Sequence, residues 1–105
     1  MWKIDTGSES GVTTAAWEQV VLWPVAELGH KTLLLKNTHA AASLAYRFWA
    51  FTGMNVGIEV APETLLEAGA VAEFHCREQW ARLVLEVKNG SGAATWQAEY
   101  QGQGA

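Results

Sequence analysis

A chain of 105 residues is long enough for one domain with a real core and leaves no room for a second. Half of the residues are hydrophobic and 17% are charged, which excludes an intrinsically disordered chain. The net charge is −4 and the seven basic residues are scattered singly, so neither nucleic acid nor an anionic membrane is an expected partner.

Residues 1–16 are predicted to form a flexible N-terminal arm, followed by a β-sandwich domain over residues 17–103. Within the arm, residues 6–14 are small, polar and glycine-containing, a composition typical of flexible segments. Trp2 and Ile4 precede that segment. Large apolar side chains on a mobile arm pack either on their own domain or on a neighbouring subunit, and the sequence leaves both open.

Seven short apolar or alternating segments at near-regular spacing predict an all-β fold, an antiparallel immunoglobulin-like sandwich. In chain order they cover residues 17–24, 31–36, 43–51, 56–60, 71–76, 81–88 and 95–101. Pro24 closes the first segment, which favours a sheet edge or a strand end. The second is an apolar run between lysines and fits a strand buried on both faces.

The most regular stretch, residues 81–101, is predicted to be a β-hairpin. Its two halves alternate apolar and polar side chains, as half-buried strands do. Asn89 and Gly90 lie between the halves, and Asn-Gly is a strong hairpin signal because both residues tolerate positive φ. A hairpin with one apolar face requires a second layer, which supports the sandwich.

Residues 62–87 also permit a competing assignment as a helix. They are rich in Ala, Leu and Glu, which would make the fold α+β. The residues that can be placed on one helical face are Leu65, Leu66, Ala72 and Cys76. Gly69 in the middle and the strict alternation from residue 82 onward favour strands.

The residues capable of metal binding or nucleophilic catalysis show no recognisable site. His30, His39, His75 and Cys76 lack a metal-ligand spacing, and adjacent His75 and Cys76 on a strand would point to opposite faces. The carboxylates are spread singly, and no phosphate loop or nucleophile elbow is present. We therefore expect no enzyme, no metal and no cofactor, and a Cys76 that behaves as a small buried hydrophobe.

The six tryptophans are more than the core of so small a sandwich is expected to bury. In residues 44–51, apolar side chains fall on both faces of the predicted strand, with Trp49 and Phe51 beside Arg47 on one of them. Either a loop or the arm covers this second face, or it is an interaction surface. The predicted interface residues are Trp2, Ile4, Arg47, Trp49 and Phe51.

Five strand segments, over residues 31–38, 43–47, 66–70, 81–88 and 99–103, resemble small immunoglobulin-like β-sandwich proteins of Gram-positive bacteria and their tailed phages. The resemblance implies a structural protein, such as a capsid decoration protein of a phage virion or a subunit of a surface appendage. It carries over no catalytic residues. No apolar segment follows Lys3, so we expect synthesis in the cytoplasm without a signal peptide and a final location in a virion or on a cell surface.

Two functions from different classes are compatible with these features. In the first, the protein is an assembly subunit that contacts itself or a capsid protein through the arm and the second apolar face. In the second, it is a carbohydrate-binding module in which exposed tryptophans form a platform for sugar rings, with Gln97, Glu99 and Gln101 as polar partners. The arm and the apolar face are the more direct signals, so assembly is favoured.

Overall fold

A computed structural model describes residues 3–53 and 56–104 of the chain as a two-layered β-sandwich. The strands are β1 (Lys3–Val12), β2 (Glu18–Pro24), β3 (His30–Asn37), β4 (Leu44–Phe51), β5 (Gly57–Leu66), β6 (Val71–Cys76), β7 (Arg82–Asn89) and β8 (Thr95–Gly104). They form two four-stranded antiparallel sheets, β1-β8-β3-β6 and β2-β7-β4-β5. The predicted all-β antiparallel sandwich is confirmed. Within the described residues, no helix has the length and apolar character needed to cross a membrane.

The strand order is that of a long antiparallel ribbon rolled upon itself. β1 pairs with β8, β2 with β7, β3 with β6 and β4 with β5. Two further pairings, β3 with β8 and β4 with β7, join these ribbon segments into sheets. This is the eight-stranded double Greek key called a jelly roll. An immunoglobulin constant-type domain instead places strands 1-2-5-4 against 3-6-7, so the strand order differs from the immunoglobulin-like order that we expected.

The hairpin predicted over residues 81–101 is wrong, although both of its strands exist. β7 and β8 lie in different sheets, and their apolar faces meet across the core. Gly69 alone among the described residues has a positive φ, so Asn89 and Gly90 do not form the predicted turn. Gly90 lies instead against the β3–β4 connection: its N–H donates to the Ser43 carbonyl, and a Cβ there would approach that oxygen to 2.7 Å.

The competing helix over residues 62–87 is also excluded. This segment contains the end of β5, a turn, β6 and most of β7. Gly69, with a φ of 78°, is in the left-handed region that favours glycine, and the Ala70 N–H donates to the Glu67 carbonyl at 3.0 Å across the turn. A residue of this conformation breaks a helix, which is why the helical periodicity does not prevail here.

The core lies between the two sheets and is filled mainly by β2, β3, β4, β7 and β8. Its largest fully buried apolar side chains are Trp23, Val25, Leu33, Leu35, Leu44, Leu83, Leu85 and Val87. The prediction that β3 is buried on both faces is wrong: Lys31, Leu33, Leu35 and Asn37 point inward and are buried, whereas the other face is partly exposed. In β6, Cys76 is buried and His75 is exposed, so these neighbours do point to opposite faces as predicted.

Most of the segment predicted as a flexible arm is a strand. Residues 3–12 form β1, which pairs with β8 over ten consecutive register positions. The small residues that suggested flexibility have a packing role here, because Gly7 and Gly11 lie against the rings of Tyr100 and Trp96. Glycine opposite an aromatic residue lets the ring cover the backbone, a role that composition alone does not distinguish from mobility.

Candidate interaction surface

The outer face of the β2-β7-β4-β5 sheet carries a group of aromatic and cationic side chains that we call the aromatic face. Its members are Trp17, Arg47, Trp49, Phe51, Arg82 and Lys88. Alternate residues of a strand share one face, which places Arg47, Trp49 and Phe51 side by side along β4. In the pairing register, Arg82 of β7 lies opposite Phe51. Val84 of β7 pairs with Trp49 on one side and with the exposed Leu22 of β2 on the other, so Leu22 and Trp49 lie in one cross-strand row.

The cations of this face lie over the aromatic rings. The guanidinium carbon of Arg47 is 4.1 Å from the centroid of the Trp17 ring and 5.4 Å from that of Trp49. Arg82 lies 4.3 Å from the Phe51 centroid, and the Trp49 and Phe51 rings stack at 6.4 Å with an interplanar angle of 29°. A cation over a ring at an exposed site contributes about 0.5–1 kcal/mol, so several such contacts hold the rings in fixed positions.

Carboxylates and carbonyls hold the same cations from the other side. Arg47 Nε donates to Glu86 Oε1 at 2.7 Å, and Arg82 Nη1 donates to the Gly53 carbonyl at 3.0 Å. Lys88 Nζ, 4.7 Å from the Trp17 centroid, lies 3.7 Å from Glu63 Oε1. The positive charges of the face are therefore largely matched by acids, which suits a protein surface better than a row of phosphates.

A hollow of about 230 Å³ opens in the aromatic face. It is lined by Gln19, Arg47, Trp49, Phe51, Val84 and Glu86. Pockets for small-molecule ligands usually measure about 300–1,000 Å³, so this hollow is smaller than a ligand site. Its walls combine aromatic, aliphatic and charged side chains.

The structure brings together three of the five predicted interface residues. Arg47, Trp49 and Phe51 are half-buried by each other and by their own sheet, and β1 does not cover them because it belongs to the other sheet. Ile4 is 65% exposed on β1, and Trp2 lies outside the described residues. Trp17, Arg82 and Lys88 were not predicted, although the alternation of β7 does place Arg82 and Lys88 on its outward face.

The polar residues proposed as partners of a sugar platform lie on the opposite side of the sandwich. Gln97, Glu99 and Gln101 point outward from β8, whereas Trp49 is in β4 of the other sheet and Trp17 lies just before β2. An open groove of about 650 Å³ on that side is lined mainly by hydroxyl and amide side chains. Because Trp23 and Trp96 are buried in the core, the tryptophan platform and its polar partners do not form one site.

The buried thiol of Cys76 is held by a neighbouring carboxylate. Its Sγ donates to Glu78 Oε2 at 3.1 Å, and the described residues include no group of three or more His, Cys, Asp or Glu side chains arranged to hold a metal. Burial, together with this hydrogen bond, raises the pKa of the Cys76 thiol above its ordinary value of 9.0. A raised pKa keeps the thiol neutral and therefore poorly nucleophilic near neutral pH.

This raised pKa predicts an alkaline loss of stability. Because the fold favours the neutral thiol, the contribution of Cys76 is complete below pH 9.0 and is lost as the pH rises through the raised pKa. The free energy of unfolding should therefore fall more steeply above about pH 9 in the native protein than in Cys76→Ala. Tyr100, whose pKa burial also raises, is present in both proteins and cancels from the comparison. If the free energy of unfolding, measured by urea denaturation at each pH, falls equally steeply with pH in both proteins, the assignment is contradicted.

No protein-family model matches the chain, and no curated protein matches its sequence. Solved structures do match its fold. A protein of Bacillus endospore appendages, which form disulfide-linked pili, superimposes with a TM-score of 0.70 at 12% identity, over 99% of this chain and 88% of that chain. The decameric BFDV capsid protein gives a TM-score of 0.58 at 4% identity, over 100% and 98%.

The fold also occurs in a protein of another kind. A mitogen from Yersinia pseudotuberculosis superimposes with a TM-score of 0.63 at 11% identity, over 91% of this chain and 84% of that chain. At identities this low, the likeness establishes a shared jelly-roll fold and nothing about residues that act.

Proposed function

We propose that this protein is a non-enzymatic assembly subunit, of a phage virion as a capsid decoration protein or of a surface appendage. The observation that carries the proposal is the asymmetry of the two outer faces. One sheet shows solvent hydroxyl, amide and carboxylate groups together with the separate apolar residues Ile4, Val12 and Val71, whereas the other shows a cluster of aromatic rings beside the exposed Leu22. Aromatic and arginine side chains are enriched where protein surfaces meet, which supports association through the aromatic face.

The partner on this face is a second copy of the chain or a capsid or other assembly protein. Arginine over aromatic rings, with an acid or a carbonyl already in place beside each cation, forms a preorganised surface that loses little side-chain freedom on association. Cys76 is buried and is the single cysteine of the sequence, so the proposed contact is non-covalent. The pilus and capsid proteins among the fold neighbours support this reading at the level of class.

Removal of the central ring should weaken association without unfolding the domain. Trp49→Ala is expected to raise the dissociation constant of the assembly by about 30-fold, since a buried aromatic anchor contributes about 2 kcal/mol or more. Light scattering across a concentration range measures this change. Gln101→Ala, on the outer face of the other sheet, is the matched control and should leave the dissociation constant unchanged.

Two outcomes would contradict the proposal. One is a native protein that stays monomeric at all concentrations and does not bind purified capsids. The other is a Trp49→Ala variant that associates as strongly as the native protein while circular dichroism shows both folded.

A further inference from the structure

Strand β1 differs from the rest of the sandwich because it contributes no large side chain to the core. By register, Asp5, Gly7, Glu9 and Gly11 lie on its core-facing side, although Glu9 is exposed. Its two large apolar residues with described side chains, Ile4 and Val12, are 65% and 56% exposed. Apolar burial is the main term that holds a strand in place. The attachment of β1 therefore depends on its backbone ladder and on a few polar and ring contacts.

These remaining contacts are weak in sum. The net contribution of a backbone hydrogen bond to stability is small, and the conformational entropy lost on ordering each residue offsets it. Trp23 Nε1 donates to Asp5 Oδ2 at 2.8 Å, which is one side-chain anchor within the strand. Detachment of β1 is consequently expected at a much lower free energy than global unfolding.

The connection after β1 is anchored much more firmly. Thr13 is buried: its N–H donates to the Ala94 carbonyl at 2.9 Å, and its hydroxyl accepts from the Ala94 N–H at 2.9 Å. The Asn89 side-chain amide lies 2.7 Å from the same hydroxyl. The chain thus has a hinge between Val12 and Thr13, because the strand before it is weakly attached and the domain after it is firmly held.

The edge that β1 covers is specific for its sequence. Without β1, the edge of β8 would show an unpaired backbone, the rings of Tyr100 and Trp96, and the indole N–H of Trp23. These features fit a strand with an acid for the indole and glycines opposite the two rings, which is the spacing of Asp5, Gly7 and Gly11. Asp5 is the single aspartate of the chain, so a second copy of β1 is the matching strand that this chain itself can supply.

We infer that β1 is exchanged between copies, so that β1 of one protein occupies the β8 edge of the next. The inference rests on the proposed assembly function and names a second contact in it. Ten residues of extended strand span about 33 Å, which exceeds the 27 and 16 Å minor dimensions of the domain and so reaches a neighbour. Exchange around a short hinge forms a dimer when it is reciprocal and a ring or fibre when it runs head to tail.

A disulfide across the β1–β8 pair distinguishes the closed from the exchanged arrangement. Ser8 and Glu99 face each other in register and both side chains are exposed, so Ser8→Cys with Glu99→Cys in a Cys76→Ala background leaves the core otherwise unchanged. After mild oxidation of the assembled protein, we expect dimers or a ladder on a non-reducing gel that collapse to monomer on reduction. Ser10→Cys with Gln97→Cys tests the same pairing at an independent position.

The matched control is a cysteine pair between strands of the fixed domain. Leu34 and Glu73 are paired between β3 and β6, and their double cysteine variant should form a bond within one chain. Intrachain bonds alone at both β1–β8 pairs, in a sample that light scattering shows to be oligomeric, would overturn strand exchange and leave the proposed function standing. A sample that is monomeric and does not bind purified capsids before oxidation would instead overturn the proposed function.

Discussion

Replacement of Lys31 by methionine should lower the free energy of unfolding by about 3 kcal/mol. Lys31 is 1% exposed, and its ammonium donates to the carbonyls of Leu28 and Glu78 at 2.9 and 2.8 Å and approaches that of Gly29 at 3.2 Å. Methionine fills a similar volume but leaves three carbonyls without this donor. These carbonyls belong to the β2–β3 and β6–β7 connections, so the substitution loosens that whole end of the sandwich.

The matched control is Lys36→Met on the same strand. Lys36 points outward and is exposed, so its replacement should change stability by less than about 0.5 kcal/mol. Urea denaturation followed by tryptophan fluorescence measures both variants. A Lys31→Met protein as stable as the native one would show that water replaces the ammonium without cost. This result would contradict a stabilising role for the three carbonyl contacts of Lys31.

Asn37→Leu should destabilise the opposite end of the same strand by a similar amount, about 3 kcal/mol. Asn37 is fully buried, and its Nδ2 donates to the carbonyls of Ala42 and Leu66 at 2.8 and 3.0 Å. Its Oδ1 accepts from the His39 N–H at 2.9 Å. Leucine has nearly the same shape but satisfies none of these three groups, which link the β3–β4 connection to the end of β5.

Thr38→Val is the control for this end, because the Thr38 hydroxyl makes an exposed hydrogen bond to Thr95 whose loss should cost less than about 1 kcal/mol. The two buried residues are six positions apart on an extended strand, about 20 Å, and share no partner. Lys31→Met and Asn37→Leu should therefore be additive in thermal or urea unfolding. Strong coupling between them would mean that β3 and its connections unfold as one unit.

These buried polar anchors separate stability from association in the proposed assembly. Lys31 and Asn37 fasten the connections at the two ends of the sandwich from inside, so neither outer face is needed to close the fold. One face is consequently available for the rings of the aromatic face. The β8 edge is filled by a strand whose own side chains stay out of the apolar core.

Several strand positions followed directly from the sequence because they depend on local patterning. The alternation of β7 and β8 and the Gly69 turn are properties of neighbouring residues, and they predict an all-β sandwich without knowledge of any long-range contact. The second apolar face of β4 was also visible in this way. Trp49, Phe51 and Arg47 are therefore surface candidates on the local pattern alone, without knowledge of the strand pairing.

The pairing of the strands and the chemistry of the buried ends were decided by the tertiary structure. Asn89 and Gly90 permit a tight turn, but Leu83, Leu85 and Trp96 gain more burial when β7 and β8 face each other across the core than when they pair in one sheet. A glycine-rich segment is mobile or paired depending on whether rings lie opposite it. A lysine is buried only where three carbonyls from distant loops converge on it, and that convergence exists only in the folded chain.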